Sequence, residues 1–191
     1  PMLAMAERVL SAGQKLRMVP LHFLLPQWRR TAAEAAHALN KSIELHTDIG
    51  ELELDRHVLD RIKDPMLHLI RNAIDHGIES QSERDKRNKS RTGIVQIRAR
   101  LSGTTAIIEV SDDGRGIDSE RIRSQAVRQG LLEPEQAASL SAEELSACLF
   151  HPGFSTASSV STLSGRGVGL DVVRETVRTL GGHVEVRHPP L

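Results

Sequence analysis

The stretch HLIRNAIDHGIE, residues 68–79, decides how this sequence is interpreted. At about 100° per residue, Leu67, Ile70 and Ile74 lie on one side of a helix and a narrow polar stripe lies on the opposite side. Solvent-facing stripes usually favour Lys, Glu and Arg, whereas Asn and His are mediocre helix formers. Two interpretations are therefore open, an ordinary solvated face and a binding site. The stripe consists of His68, Asn72, Asp75, His76 and Glu79.

Two alternating segments follow, IVQIRARL at 94–101 and AIIEVSD at 106–112, and they predict a β-hairpin. Counting by twos from Ile108 places Asp112 on the core-facing side at the end of the second strand. A carboxylate turned toward an apolar interior is costly unless it accepts a hydrogen bond, so Asp112 needs a donor. The glycines of DDGRG, 112–116, suit a tight turn that a ligand can approach closely. An ordinary Asp-Gly turn is the alternative.

A third motif is SGRGVGLDVV at 164–173, in which glycines lead directly into a predicted amphipathic helix. Backbone N–H groups in such a loop form an anion cradle, with the positive end of the helix behind them. The segment 151–165 before it is rich in Ser, Thr and Gly and long for a connection, which predicts a mobile lid. The polar stripe, the Asp-Gly turn and this loop together predict an ATP site.

Composition limits the remaining choices. A chain of 191 residues suits one domain, or one domain with an appendage, and its 25 basic and 25 acidic residues give no charge argument for nucleic acid. One Trp, three Phe and no Tyr cannot build a base-stacking platform. No apolar stretch approaches the roughly 20 residues of a membrane span, so no membrane insertion is expected. A single cysteine suits a reducing compartment, and we expect the cytoplasm.

The other elements are predicted from periodicity and capping residues. Asp55 is predicted to cap a short helix, and Pro65 to begin a new one. The charge-rich run at 79–92 contains no apolar residue to anchor it, and a solvated connector is predicted there. Predicted helices cover about 3–17, 27–39, 56–62, 65–77, 118–130, 141–149 and the segment after Gly169, and further predicted strands cover 42–47 and 183–188.

These motifs, with LFHPGFSTA at 149–157, resemble the N, G1, F and G2 boxes of the gyrase, heat-shock chaperone, histidine kinase and MutL ATPase superfamily. The amino-acid sequences of these motifs are most similar to those of the CheA-type chemotaxis sensor histidine kinases, and the resemblance extends from about residue 16 to 186. The resemblance implies an α+β fold, a two-layer sandwich with a mixed sheet packed against helices. It also implies that residues 1–19 end a dimerisation helix and that 20–191 form an ATP-binding catalytic domain. The family's C-terminal strands and regulatory domain are expected to be absent from this chain.

The resemblance also assigns roles. Asp112 would accept the adenine amino group, and Gly116 would let the base sit close. Asn72 would coordinate Mg²⁺, which prefers oxygen ligands and bridges phosphates. His68 would be catalytic, at the position where other members of the superfamily carry a water-activating glutamate. The remaining implied ATP-binding residues are Asp75, His76, Gly114, Arg121, Ser155, Thr156, Gly165, Arg166, Gly167, Val168, Gly169 and Leu170.

As an activity, the resemblance implies a protein-histidine kinase that moves the γ-phosphoryl group of Mg-ATP to a histidine on a separate phosphotransfer domain. The implied partners are that domain, a second kinase copy in the full-length protein, and an adaptor and chemoreceptor bound through absent domains. Two alternatives stay open, a nucleotide-binding module without transfer and an ATP-hydrolysing ATPase. Gln125, where relatives often have lysine, leaves the first open, whereas His68 in place of glutamate disfavours the second.

Overall fold

The structure is a computed structural model that describes residues 17–154 and 169–187 and divides into two compact units, Pro1–Arg115 and Gly116–Leu191. The predicted α+β class with a mixed sheet is confirmed. The helix predicted at 3–17 lies outside the described residues except for its last position. No helix in the described part is both long enough and apolar enough to cross a membrane. The first unit contains β1 (Met18–Pro20), a 3-10 turn (Leu21–Leu24), α1 (Leu25–Ala38), β2 (Ile43–Asp48), β3 (Glu53–Asp55), α2 (Arg56–Asn72), a π turn (Ala73–Gly77), α3 (Gln81–Lys86), β4 (Gly93–Ser102) and β5 (Thr105–Asp112).

The main sheet confirms the predicted hairpin and its phase. β4 pairs with β2 in parallel and with β5 antiparallel, in the order β2-β4-β5. Asp112 is opposite Val95, and Val110 is opposite Ile97. Directly opposed residues share a face of the sheet, and both Val95 and Ile97 are fully buried. Asp112 therefore ends its strand on the core-facing side, as the alternation predicts.

The helix that carries the polar stripe is continuous, so the prediction that Pro65 begins a new helix is wrong. Asp55 does cap the helix, because its carboxylate accepts the N–H of His57 at 2.8 Å. Pro65 lies inside α2 and is buried together with Ile62 and Met66. A proline inside a helix loses one backbone hydrogen bond and crowds the preceding turn. Here the burial of the apolar face on both sides of Pro65 keeps the helix intact.

Lys41 closes the end of this helical segment. Its ammonium group donates to the carbonyl oxygens of Ile74 at 2.7 Å, Asp75 at 2.8 Å and Ile78 at 2.8 Å. The last carbonyls of a helix have no partner within the helix, and a cation there also interacts favourably with the negative end of the helix dipole. Burial lowers the pKa of the Lys41 amine, an effect that nearby Asp75 partly offsets. Lys41 thus fixes the direction in which the chain leaves the π turn.

The charge-rich segment after Glu79 is structured, which makes the prediction of a solvated connector wrong. Ser80 and Glu83 form a capping box at the start of α3. Arg84, on that helix, is only 1% exposed, and Glu79 is 2% exposed. Opposite charges anchor this segment where apolar residues do not, and hydrophobic patterning does not detect such an anchor.

The second unit is helical in its described part and contains α4 (Ser119–Arg128), α5 (Pro134–Ser139), α6 (Ala142–Ser146), a 3-10 turn (Ala147–Phe150) and α7 (Leu170–Thr179). The predicted cap at Asp118 is confirmed, since its carboxylate accepts the N–H of Arg121 at 3.0 Å. The predicted capping box of Ser141 and Glu144 is also present. Gly130 ends its helix in the left-handed region, with φ +69°.

Three elements differ from prediction. The short strands β1 and β3 pair antiparallel, although neither was predicted, because Met18 to Pro20 shows no alternation. The strand predicted at 183–188 is wrong for its described residues, 183–187, which belong to no strand ladder. Alternation gives a strand only when a neighbouring strand supplies hydrogen-bond partners, and none among the described residues does so here.

We predict that Lys41→Met lowers the free energy of unfolding by about 1–3 kcal/mol, because three carbonyl oxygens at the end of the π turn lose their donor. Chemical denaturation followed by circular dichroism measures the change. Lys63→Met, at an exposed lysine of α2, is the matched control. Equal losses in the two variants would contradict the role of Lys41.

Candidate functional site

The polar stripe of α2 begins with a hydrogen-bonded pair. The Asn72 amide nitrogen lies 2.9 Å from Nε2 of His68, and both side chains are partly buried. An amide nitrogen can only donate, so the His68 Nε2 accepts. The bond uses the nitrogen of Asn72 and leaves its amide oxygen to face a cation or a polar ligand. The two residues sit one helical turn apart, as the sequence predicts.

The polar stripe continues into the π turn with Asp75 and His76, but it does not include Glu79, which was predicted to belong to it. The carboxylate of Asp75 lies 3.7 Å from Nε2 of His76, and His76 is the more exposed of the two. Glu79 is not part of the stripe, because the chain turns extended at Ile78 and carries the Glu79 side chain into a buried ion pair. The turn of the backbone after Gly77, which periodicity alone does not reveal, separates Glu79 from the other four residues.

Asp112 has one donor within its own turn. Its Oδ1 accepts the N–H of Gly114 at 3.0 Å. The residue is exposed at the end of β5, yet its carboxyl group is packed against surrounding backbone. Partial burial raises the pKa of this carboxyl, and the Gly114 N–H opposes that shift. The bond occupies Oδ1 and leaves Oδ2 as an acceptor for a ligand N–H group.

Gly77 joins Asp112 to the helix, and the sequence analysis did not identify it. A Cβ atom on Gly77 would lie 2.6 Å from Oδ1 of Asp112, and one on Gly114 would lie 2.1 Å from the carbonyl oxygen of Gly77. The Arg115 N–H donates to that same oxygen at 2.9 Å. The glycine that directly ends the helical pattern in DHGIE is the signal that could have pointed to this contact. The structure thus brings Asp112 to the end of the segment that carries His68 and Asn72.

The other predicted site residues are distributed as follows. Gly116, with φ +72°, opens the second unit, and Arg121 is exposed on α4. Gly169 is the N-cap of α7, and Leu170 is its first residue. The remaining predicted residues, Ser155, Thr156, Gly165, Arg166, Gly167 and Val168, lie outside the described part of the chain, as does most of the predicted lid at 151–165.

Comparison with known proteins shows the family to which the chain is similar. Residues 59–190 match the family described as histidine kinase-, DNA gyrase B-, and HSP90-like ATPase. This match begins within α2 and contains the polar stripe, the hairpin and the glycine loop.

Several curated proteins are similar over nearly the whole chain. The gliding motility regulatory protein of Myxococcus xanthus is 43% identical over 182 residues, which are 95% of this chain and 23% of that protein. The chemotaxis protein CheA of Bacillus subtilis is 43% identical over 90% of this chain and 26% of its own length. The sensor histidine kinase CheAY of Helicobacter pylori is 41% identical over 92% and 22%. The chain spans about a quarter of the length of these relatives.

We predict that Gly114→Ala lowers the free energy of unfolding by about 1–3 kcal/mol, because the new methyl group overlaps the Gly77 backbone and the turn has to shift. Thermal and chemical denaturation measure the loss. Ser111→Ala, at an exposed position of the same strand, serves as the control and should change stability by less than about 0.5 kcal/mol. An unchanged Gly114→Ala protein would show that the contact between the turn and Gly77 is not tight.

Proposed function

Since this chain belongs to the histidine kinase-, DNA gyrase B- and HSP90-like ATPase family, as the ATPase domain of a CheA-type protein, we propose that it transfers the γ-phosphoryl group of Mg-ATP to a histidine of a separate phosphotransfer domain. One observation carries the proposal. Asp112, an acceptor suited to an adenine amino group, lies against Gly77 at the end of the helical segment that bears the His68–Asn72 pair.

Asp112 is the base-binding residue in this proposal. Its Oδ2 would accept one N–H of the adenine amino group, while the Gly114 N–H keeps Oδ1 in place. A hydrogen bond to a charged acceptor contributes about 1.5–3 kcal/mol. By family resemblance, Gly116 would let the base sit close to this carboxylate.

Asn72 is the proposed Mg²⁺ ligand. Its amide nitrogen is held by His68, so the oxygen is the atom that remains for a cation. A neutral amide oxygen suits Mg²⁺, which keeps several waters and takes much of its coordination from phosphate oxygens. When bound, the ion would neutralise charge that develops on the phosphates.

His68 is the proposed catalytic residue. The incoming histidine of the acceptor uses a ring nitrogen to attack the γ-phosphorus, the bond from phosphorus to the β,γ-bridging oxygen breaks, and ADP leaves with that electron pair. Phosphoryl transfer depends mainly on alignment and on stabilisation of charge. His68, held in its orientation by Asn72, would orient the incoming imidazole. Because its Nε2 accepts from Asn72, His68 would deprotonate the imidazole only after giving up that bond.

The rest of the site belongs to the proposal through family resemblance. In it, His76 and Arg121 contact phosphate oxygens, and Asp75 is a further ATP-binding residue. The phosphate cradle and lid comprise Ser155, Thr156, Gly165, Arg166, Gly167, Val168, Gly169 and Leu170. We further propose that the kinase acts in the cytoplasm as a dimer, and that an adaptor and a chemoreceptor control it through parts of the full-length protein outside this chain.

We predict that Asp112→Asn raises the Kd for Mg-ATP roughly tenfold or more, because the amide presents a weaker acceptor and a donor to the adenine amino group. Isothermal titration calorimetry measures the affinity. Asp48→Asn, at the exposed end of β2, is the matched control. Unchanged ATP affinity in Asp112→Asn would remove the base-binding role.

We predict that His68→Gln leaves the Kd for Mg-ATP within about twofold but lowers phosphoryl transfer by roughly 100-fold, because the loss affects alignment and proton transfer and leaves base recognition intact. The assay mixes the chain, γ-labelled ATP and a separately supplied phosphotransfer domain, and follows label on the histidine of that domain.

The parent protein in the same assay distinguishes the alternatives. Label on the acceptor histidine supports the kinase. Binding of ATP with neither transfer nor hydrolysis would indicate a nucleotide-binding module, and release of labelled phosphate without transfer would indicate a hydrolytic ATPase.

A further inference from the structure

An ion cluster with a buried Arg84–Glu79 pair at its centre lies next to the Asp112 turn. It consists of Glu79, Arg84, Lys89 and Asp113, all in the first unit. Arg84 donates through Nη1 to Glu79 Oε2 at 3.1 Å and through Nη2 to Asp113 Oδ2 at 2.7 Å. Lys89 donates to Glu79 Oε1 at 2.9 Å. The Arg84 and Glu79 side chains are each 1% exposed, so the two charges are screened little by water.

Neighbouring backbone groups complete the hydrogen bonds of the cluster, which offsets the cost of burying its charges. The Arg84 Nε donates to the carbonyl oxygen of Ser90, and Asp113 Oδ1 accepts the N–H of Ile94 at 2.8 Å. Burial alone would raise the pKa of Asp113, but the hydrogen bonds from Arg84 and the Ile94 N–H outweigh it and lower that pKa. Burial alone would also raise the pKa of Glu79, but the hydrogen bond from Lys89, a backbone N–H and the charges of Lys89 and Arg84 together outweigh burial and lower that pKa. The acids therefore stay ionised at neutral pH.

Lys89 reaches from this cluster to the backbone of the turn itself. Its ammonium donates to the carbonyl oxygen of Asp113 at 2.9 Å and to that of Gly114 at 2.7 Å. These two carbonyls flank the Gly114 N–H that holds Asp112 Oδ1. Arg84 and Lys89 thus bind the turn at three places: the Asp113 side chain, the Asp113 carbonyl and the Gly114 carbonyl. Asp112 itself makes no bond to Arg84 or Lys89 among the described contacts.

We propose that Arg84 and Lys89 are positioning residues for nucleotide recognition: they hold the 112–114 turn so that the Asp112 carboxylate faces the base, and they thereby set the preference for a purine with a 6-amino group. This inference rests on the proposed function. It concerns base discrimination, because the phosphates are bound by other residues. A stabilising cluster without this role would protect the fold and leave discrimination unchanged.

The test compares Mg-ATP with the magnesium complex of purine riboside triphosphate, which lacks the 6-amino group, by isothermal titration calorimetry on the whole chain. We expect Lys89→Met to raise the Kd for ATP about fivefold and to change the Kd for the analogue by less than twofold. Arg84→Lys keeps a positive charge beside Glu79 but loses the paired hydrogen bonds from the guanidinium to both carboxylate oxygens of Asp113. This variant should show the same pattern. Arg91→Met, which breaks an exposed pair with Asp85, is the control and should leave both affinities unchanged.

A double-mutant cycle with Asp112→Asn shows whether Lys89 acts through Asp112. In the Asp112→Asn background, Lys89→Met should not weaken ATP binding further. An equal effect of Lys89→Met on both nucleotides, an undiminished effect in the Asp112→Asn background, or no effect on ATP would each overturn the inference while leaving the proposed function in place. If Asp112→Asn alone leaves ATP affinity unchanged, the base-binding role in the proposed function fails, and this inference fails with it.

Discussion

The contact between the Gly77 backbone and the Asp112–Gly114 turn is the constraint on which the rest of the site depends. It joins the end of β5 to the end of the helical segment that carries His68 and Asn72. The contact requires glycine on both sides, because a Cβ atom on either would overlap its neighbour. A carboxylate from a strand and an amide–imidazole pair from a helix come into one region only through this close approach.

Charged groups bind the backbone on both sides of this contact. Lys41 binds the carbonyls at the end of the π turn, and Arg84 with Lys89 binds the turn that follows β5. Each cation is at least partly buried and each donates to several oxygens, which offsets the loss of hydration. Backbone carbonyls at element ends need donors in any case. Hydrogen bonds from these cations to carbonyl groups at the ends of the elements thus fix the geometry of the site.

Much of the fold and part of the site could be predicted from local pattern. The hairpin, the phase of Asp112, the helix that carries His68 and Asn72, and the caps at Asp55, Asp118 and Ser141 all follow from periods and hydrogen bonds that span a few residues. The predictions that failed involve distant partners. Pro65 stays within α2 because of packing, and Arg84 is buried because Glu79 and Asp113 surround it. The strand expected at 183–187 lacks a neighbour in the described structure.

Residue type and short spacing already specify the polar stripe, the Asp-Gly turn and the glycine loop, and the family resemblance is carried by the same residues. Three features became visible only in the folded chain: Gly77 contacts the Asp112 turn, Glu79 leaves the stripe, and the ends of the elements are bound by Lys41, Arg84 and Lys89. The reason is physical. Periodicity records which face of an element is apolar, whereas a buried ion pair or a close backbone contact depends on which distant residue comes to lie opposite.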